Sequence, residues 1–134
     1  MERLLDHDFQ VILDFLLEIY SPAALRKFPD RLIESLHKLI PSDLVTYDEM
    51  DPDRRTSTDR GSPADMMRPE LRQESWPRVM QEHPPLMYFR RTGDPCACRI
   101  SDFLSQQNFR CSALYQEFYR KMGIEDVLCK ALVS

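Results

Sequence analysis

Two different spacings of apolar side chains constrain what this chain can fold into. Residues 43–50 (DLVTYDEM) alternate with a period of two and include β-branched and aromatic members, which is typical of a strand. Other segments place apolar residues at three- and four-residue steps, the spacing of a helical face. In residues 7–20 such a face is widened by Phe15 and Leu17, and its main members are Phe9, Ile12, Leu13, Leu16, Ile19 and Tyr20. The two periods together predict an α+β fold, with helices against an antiparallel sheet.

Proline and serine mark the ends of the early elements. Ser21 and Pro22 are typical of a helix start, since serine caps free amides and proline fits the first turn. Asp30 is predicted to cap a further helix that Pro41 stops. The polar residues that follow the 43–50 strand predict an exposed hairpin with a weak edge strand near 55–59.

The second half of the sequence is predicted to be mainly helical. A stripe through residues 68–85 includes Trp76 and His83, with Pro77 expected to kink it. Residues 109–122 are predicted to form one helix ended by a left-handed cap at Gly123. Residues 127–133 alternate again and predict a final strand. The face predicted for the 109–122 helix comprises Cys111, Leu114, Tyr115, Phe118, Tyr119 and Met122.

Size and charge exclude several classes of protein. A chain of 134 residues suits one domain with one core. Its net charge of -4 lacks the basic excess that nucleic-acid binding requires. Asp14 and Glu18 interrupt the apolar run near the N-terminus, which predicts neither a signal peptide nor a membrane partner. We therefore expect a cytoplasmic protein.

The four cysteines are too few to suggest a disulfide scaffold, and we expect reduced thiols. Cys96 and Cys98 form a C-A-C pair that could contribute to a soft-metal site. No second cysteine pair or histidine pair lies near enough in sequence to complete a tetrahedral shell. We therefore predict no metal and no cofactor.

Several segments resemble the GAF-like sensory domain at the N-terminus of LuxR-type bacterial transcriptional regulators. The resemblance spans residues 30–133, and its most specific motif is the last of the four. The motifs are PSDLVTYDEMDP at 41–52, EHP at 82–84, RTGDP at 91–95 and RISDFLSQQNFRCSALYQEFYRKMGIEDVL at 99–128.

The resemblance implies a single domain over 1–134, with leading helices in 1–29 and a GAF-like core in 30–134. It implies a GAF/PAS-like sheet flanked by helices and incomplete at the C-terminus, because the family's domain continues past Ser134. DNA would be bound only through a helix-turn-helix module absent from this sequence, and a homodimer is expected. Pro85 and the C-A-C pair are atypical of the family. The signatures of bilin-binding and cyclic-nucleotide GAF domains are absent.

A sensory domain would bind a small molecule, here unknown, in a cavity lined by apolar and aromatic side chains. Residues with an apolar body and a polar tip are the best candidates for its lining, whereas Leu114 and Phe118 are expected in the core. The candidate ligand-binding residues are Tyr47, Trp76, His83, Tyr115 and Tyr119.

Two other functions stay open. A ligand-free homodimerisation module would use Phe9, Ile12, Leu13, Leu16 and Ile19 together with the strand edge at 127–133. A small-molecule enzyme would require a perturbed His83 or cysteine beside a polar cleft. Asp48 and Glu49 alternate to opposite faces, and no nucleophile signature is present, so we expect no enzymatic activity.

Overall fold

The computed structural model describes residues 3–21, 27–51, 53–54 and 56–132. Its contacts divide the chain into two compact units. Unit 1 comprises residues 1–50 and 57–67, and unit 2 comprises residues 51–56 and 68–134. Each unit has buried side chains of its own.

Unit 1 combines two helices with most of a hairpin. Helix α1 spans Asp6–Ile19, and α2 spans Phe28–Leu39 and packs against it. Strands β1 (Val45–Asp51) and β2 (Thr56–Ser62) form a two-stranded antiparallel sheet. Both strands agree with the sequence prediction. The helix start predicted at Ser21 and Pro22 falls largely on residues 22–26, outside the described residues.

The start of α2 differs from the sequence prediction. The helix begins at Phe28, with Pro29 in its first turn, because a proline there loses no helical hydrogen bond. Asp30 is therefore inside the helix and does not cap it. Its carboxylate instead accepts a hydrogen bond from Arg60 Nη1 at 3.2 Å, which links α2 to β2.

The side chain of Met67 packs closely against Gly61 near the end of β2. A Cβ atom at Gly61 would lie 2.1 Å from Sδ of the buried Met67 and 3.0 Å from the carbonyl oxygen of Val45. A side chain at this point of β2 would therefore displace Met67, whose side chain covers the strand backbone.

Unit 2 begins with a run of short helices. Helices α3 (Pro69–Glu74) and α4 (Trp76–Val79) are followed by a 3₁₀ turn at Met80–Glu82 and by α5 (Pro84–Thr92). The predicted break at Pro77 falls at the start of α4, where the proline occupies the first turn. Helix α5 is not predicted, since two adjacent prolines suggest a loop; both lie in its first turn, where they are tolerated.

The helix predicted over 109–122 is wrong as one continuous element. It is divided into α6 (Gln106–Cys111), α7 (Ala113–Glu117) and a 3₁₀ turn at Tyr119–Met122. Ser112 has extended backbone angles, and its Oγ accepts a hydrogen bond from Tyr115 N at 3.2 Å. Serine thus ends one helix and caps the next.

The predicted cap at Gly123 is confirmed, with a φ of 71°. The amide of Ile124 returns to the carbonyl of Tyr119 at 3.0 Å, which satisfies the turn's last carbonyl groups. The chain then runs to β4, Leu128–Cys129, which pairs antiparallel with β3, Cys98–Arg99. The predicted strand over 127–133 is therefore much shorter, and residues 133–134 lie outside the described residues.

The described residues thus form a mixed helix and sheet structure, consistent with the α+β prediction. Where the sequence predicts one sheet flanked by helices, the described residues contain two sheets of two strands each. Over the described ranges, no helix has the length and apolar character needed to cross a bilayer.

Candidate functional site: an aromatic cluster around His83

Six rings of unit 2 contact one another in a chain that we call the aromatic cluster. Trp76 and His83 lie 5.6 Å apart between ring centroids, and Trp76 and Phe118 lie 5.0 Å apart. Tyr119 contacts His83, Phe118 and Phe109, and Phe109 contacts Tyr115 at 5.1 Å. The cluster consists of Trp76, His83, Phe109, Tyr115, Phe118 and Tyr119.

The surroundings of the cluster are apolar and closed. Val79, Met80 and Leu114 are almost completely buried. The guanidinium carbon of Arg72 lies 5.7 Å from the centre of the Phe118 ring, a cation–π distance. The cluster is therefore packed like a core, with a cation over one of its rings.

His83 uses both ring nitrogens. Its Nδ1 accepts a hydrogen bond from Leu86 N at 3.4 Å and so caps the start of α5. Because Nδ1 is the acceptor, a neutral ring carries its proton on Nε2. That nitrogen donates to Oη of Tyr119 at 3.0 Å. The imidazole thus connects the N-terminus of α5 to the 3₁₀ turn at Tyr119–Met122.

Burial controls the charge of His83. Its side chain is 5 % exposed, and burial lowers its pKa to about 4, because desolvation disfavours the imidazolium. The ring is therefore neutral at physiological pH, which agrees with its role as a hydrogen-bond acceptor at Nδ1.

Tyr115 anchors one end of the cluster to polar residues. Its hydroxyl donates to Glu125 Oε1 at 2.9 Å, and that hydrogen bond raises the pKa of Tyr115. Glu125 also accepts a hydrogen bond from Arg110 Nη2 at 3.2 Å. The ring is buried while its polar tip belongs to a surface network, as expected for tyrosine.

The structure brings four of the five candidate ligand-binding residues into this cluster: Trp76, His83, Tyr115 and Tyr119. Tyr47 lies in unit 1, where its ring meets Phe28 edge-on at 6.5 Å. Phe109 also belongs to the aromatic cluster. The sequence did not single it out, although its position at the start of the predicted 109–122 helix could have indicated a buried ring. Phe118, expected in the core, is buried.

Helix α1 carries a second candidate surface. Phe9, Leu13 and Leu16 are exposed, whereas Ile12 is half-buried. Ile19 is only 8 % exposed and so does not belong to the exposed face predicted for a dimer. Leu17, which is 74 % exposed, and Tyr20 extend this face. Neither belongs to the residues predicted for the dimer interface.

All four cysteines are thiols. Among the described residues, no group of three or more histidine, cysteine, aspartate or glutamate side chains is placed to hold a metal ion. His83, the best candidate for a catalytic base, has both nitrogens engaged within the protein.

Comparison with models of protein families, with curated proteins and with solved structures finds no match to this chain. Its function is therefore inferred from its own residues and their geometry.

Proposed function

We propose that this chain is the signal-input domain of a LuxR-type transcriptional regulator, with a GAF-like core that senses a small molecule or a partner. In this proposal the domain is cytoplasmic and not an enzyme, and DNA is bound by a helix-turn-helix module outside this sequence. The observation that supports it best is the buried hydrogen bond between His83 and Tyr119 inside the aromatic cluster.

A buried polar pair among aromatic rings is the combination found in small-molecule sites. Such sites are mainly apolar and use a few polar groups to orient the ligand. Nε2 of His83 and the hydroxyl of Tyr119 supply those groups, and the Trp76 and Phe118 rings supply flat apolar surfaces. The ligand class that fits is a small, largely apolar molecule with one hydrogen-bonding group.

Binding and repacking would be one event, because the cluster's rings already contact one another. A ligand that bonded to His83 or Tyr119 would replace the contact between them. His83 caps α5, and Tyr119 begins the 3₁₀ turn at Tyr119–Met122, so both elements would shift. A ligand that favours the opened packing would change the populations of the two arrangements.

The test is native mass spectrometry of the chain after incubation with a small-molecule extract of cells and exchange into fresh buffer. The proposal expects a mass above that of whole subunits that disappears on denaturation. Tyr119→Phe removes the hydroxyl bonded to His83 and is expected to lose the extra mass. Tyr20→Phe, at an exposed tyrosine directly after α1, is the matched control and should retain it.

Two results would contradict the ligand-sensing proposal. One is a native mass with no surplus after exposure to such extracts, and the other is a surplus that Tyr119→Phe retains in full. Trp76 fluorescence of each variant establishes that the cluster is folded, since this is the only tryptophan in the sequence.

A ligand-free homodimerisation module is the second candidate function. The exposed apolar face of α1, formed by Phe9, Leu13, Leu16, Leu17 and Tyr20, favours it. An apolar face of this kind on a helix is typical of a surface that another protein covers. This function would require that a dimer form through α1. It would also require that unit 2 bind no ligand.

A further inference from the structure

Two cysteines of unit 2 face each other across the small sheet. In the antiparallel pair of β3 and β4, Cys98 is the direct partner of Cys129. Directly opposed residues in such a pair have Cα atoms about 4.5 to 5.5 Å apart, with side chains on the same face. A disulfide requires Cα atoms about 4.4 to 6.8 Å apart, and directly opposed residues fall within that range.

Contacts on either side of the pair hold the register. The amide of Ile100 donates to the carbonyl of Val127 at 3.1 Å. Beyond Cys129, Nζ of Lys130 donates to the carbonyl of Pro95. A one-residue slip would break both contacts and would turn the two cysteines to opposite faces.

We propose that Cys98 and Cys129 form a reversible disulfide and are the site at which a peroxide oxidant modifies this protein. This inference does not depend on the proposed sensory function. The thiolate of one cysteine attacks a peroxide oxygen, which gives a sulfenic acid and, with hydrogen peroxide, one hydroxide that is protonated to water. The second thiol attacks that sulfur, forms the S–S bond and releases a second water. A dithiol reductant restores both thiols by exchange.

The burial of the two cysteines indicates which of them reacts with the peroxide first. Cys98 is buried, and burial raises the pKa of its thiol, with a further contribution from Asp102. Its thiolate is therefore scarce at neutral pH, and its access to oxidant is poor. Cys129 is partly exposed, so it meets the peroxide first and Cys98 resolves the sulfenic acid.

The bond would close a loop that carries much of the aromatic cluster. Helices α6 and α7 and the 3₁₀ turn at Tyr119–Met122 all lie between the two cysteines in sequence. Oxidation would thus restrain the segment that carries Phe109, Tyr115, Phe118 and Tyr119. A loop of about 30 residues is long enough for a large entropic effect on the unfolded chain.

Tryptic mapping of the folded, full-length chain tests the pairing. Cys96 and Cys98 fall on one tryptic peptide, residues 92–99, and Cys129 falls on residues 122–130. Cys96→Ser leaves a single thiol on the first peptide and so removes the ambiguity. After treatment with hydrogen peroxide, alkylation and digestion without reductant, this variant is expected to show the two peptides joined, and dithiothreitol should separate them.

Further variants test whether the bond is specific. Cys111→Ser is the matched control and should still form the linked peptides, whereas Cys98→Ser and Cys129→Ser should not. Oxidised Cys96→Ser should melt about 10 °C higher than its reduced form. If Cys98→Ser or Cys129→Ser fails to fold, the peptide mapping of Cys96→Ser by itself tests the pairing. Over-oxidised thiols, a link to Cys111, or no linked peptide in Cys96→Ser would overturn the proposal.

Discussion

His83 has three roles in the packing of unit 2. It is buried, it caps a helix through Nδ1, and it donates a hydrogen bond to Tyr119 through Nε2. Protonation at Nδ1 would place a second N–H against the Leu86 amide and remove the cap. The neutral ring is therefore part of the packing of unit 2, and its titration should be visible in stability.

The free energy of unfolding of unit 2 is expected to fall as the pH is lowered. The ordinary pKa of histidine is 6.5, and that of folded His83 is about 4. Between these values the unfolded chain takes up a proton that the folded chain does not, so stability is full above pH 6.5 and is lost towards pH 4. One such group contributes about 3 kcal/mol. Urea unfolding followed by Trp76 fluorescence at several pH values measures the loss.

A pair of histidine variants isolates the contribution of His83. His83→Gln should lower stability at pH 7 and flatten the pH dependence between 6.5 and 4. His37→Gln is the matched control, since it replaces the same residue type in unit 1, where the ring contacts the Ser42 carbonyl. Equal slopes for all three proteins would show that His83 is not the titrating group.

Ser112 shows at the level of elements how one side chain divides a helix. Its Oγ accepts from Tyr115 N and also donates to the carbonyl of Phe109 at 2.6 Å. The helical spacing of 109–122 is nevertheless present, and the predicted face from Leu114 to Tyr119 is buried. Helix α7 and the residues of the 3₁₀ turn that follows thus bury the middle of the predicted face, as one long helix would. Cys111, at the end of α6, is predicted on the same face but is exposed.

Ser112→Ala is expected to destabilise unit 2 by about 1 kcal/mol, because it removes the cap of α7. Threonine keeps an oxygen at the same position, so Ser112→Thr should recover most of the loss. Urea unfolding of the three proteins, again followed by Trp76 fluorescence, gives the comparison. An alanine variant as stable as the wild type would mean that the backbone alone sets the break.

Local sequence patterns predict the presence of helices and strands better than they predict where a helix is interrupted. The period of two in 43–50 predicts β1, and Gly123 predicts its cap, because both effects depend on neighbouring residues. A serine within an apolar stripe is compatible with a continuous helix or with a new cap, and only the packing of the following segment decides. The same holds for Pro84 and Pro85, which are typical of a loop and also of a helix start.

In the candidate site, contacts between residues far apart in the sequence could not be predicted from local patterns. Trp76 and His83 are seven residues apart, so helical spacing places them on one side, and they do meet. The contact between His83 and Tyr119 spans 36 residues, and no local pattern indicates it. The pairing of Cys98 with Cys129 depends in the same way on the strand register, which the alternation in 127–133 does not specify.

For the whole molecule, the exposed apolar face of α1 is the surface through which the proposed homodimer would form. Leu13→Asp combined with Leu17→Asp places two charges on this face and should reduce the mass of such a dimer in solution to that of one chain. Sedimentation or light scattering measures the mass. Gln10→Lys is the control, since it adds a charge at a polar position of α1 and can still donate to the Asp14 carboxylate that Gln10 contacts. An unchanged mass for the double variant would exclude α1 as the interface.

The short helices of unit 2 have a consequence for hydrogen exchange. Helices α3, α4, α6 and α7 have four to six residues each, whereas an isolated helix needs about 12 to 15 residues to persist in water. None of them can keep its amides protected without the aromatic cluster. Their slowest amides should therefore exchange at one common rate, through a single cooperative opening that breaks the packing around Trp76 and Phe118.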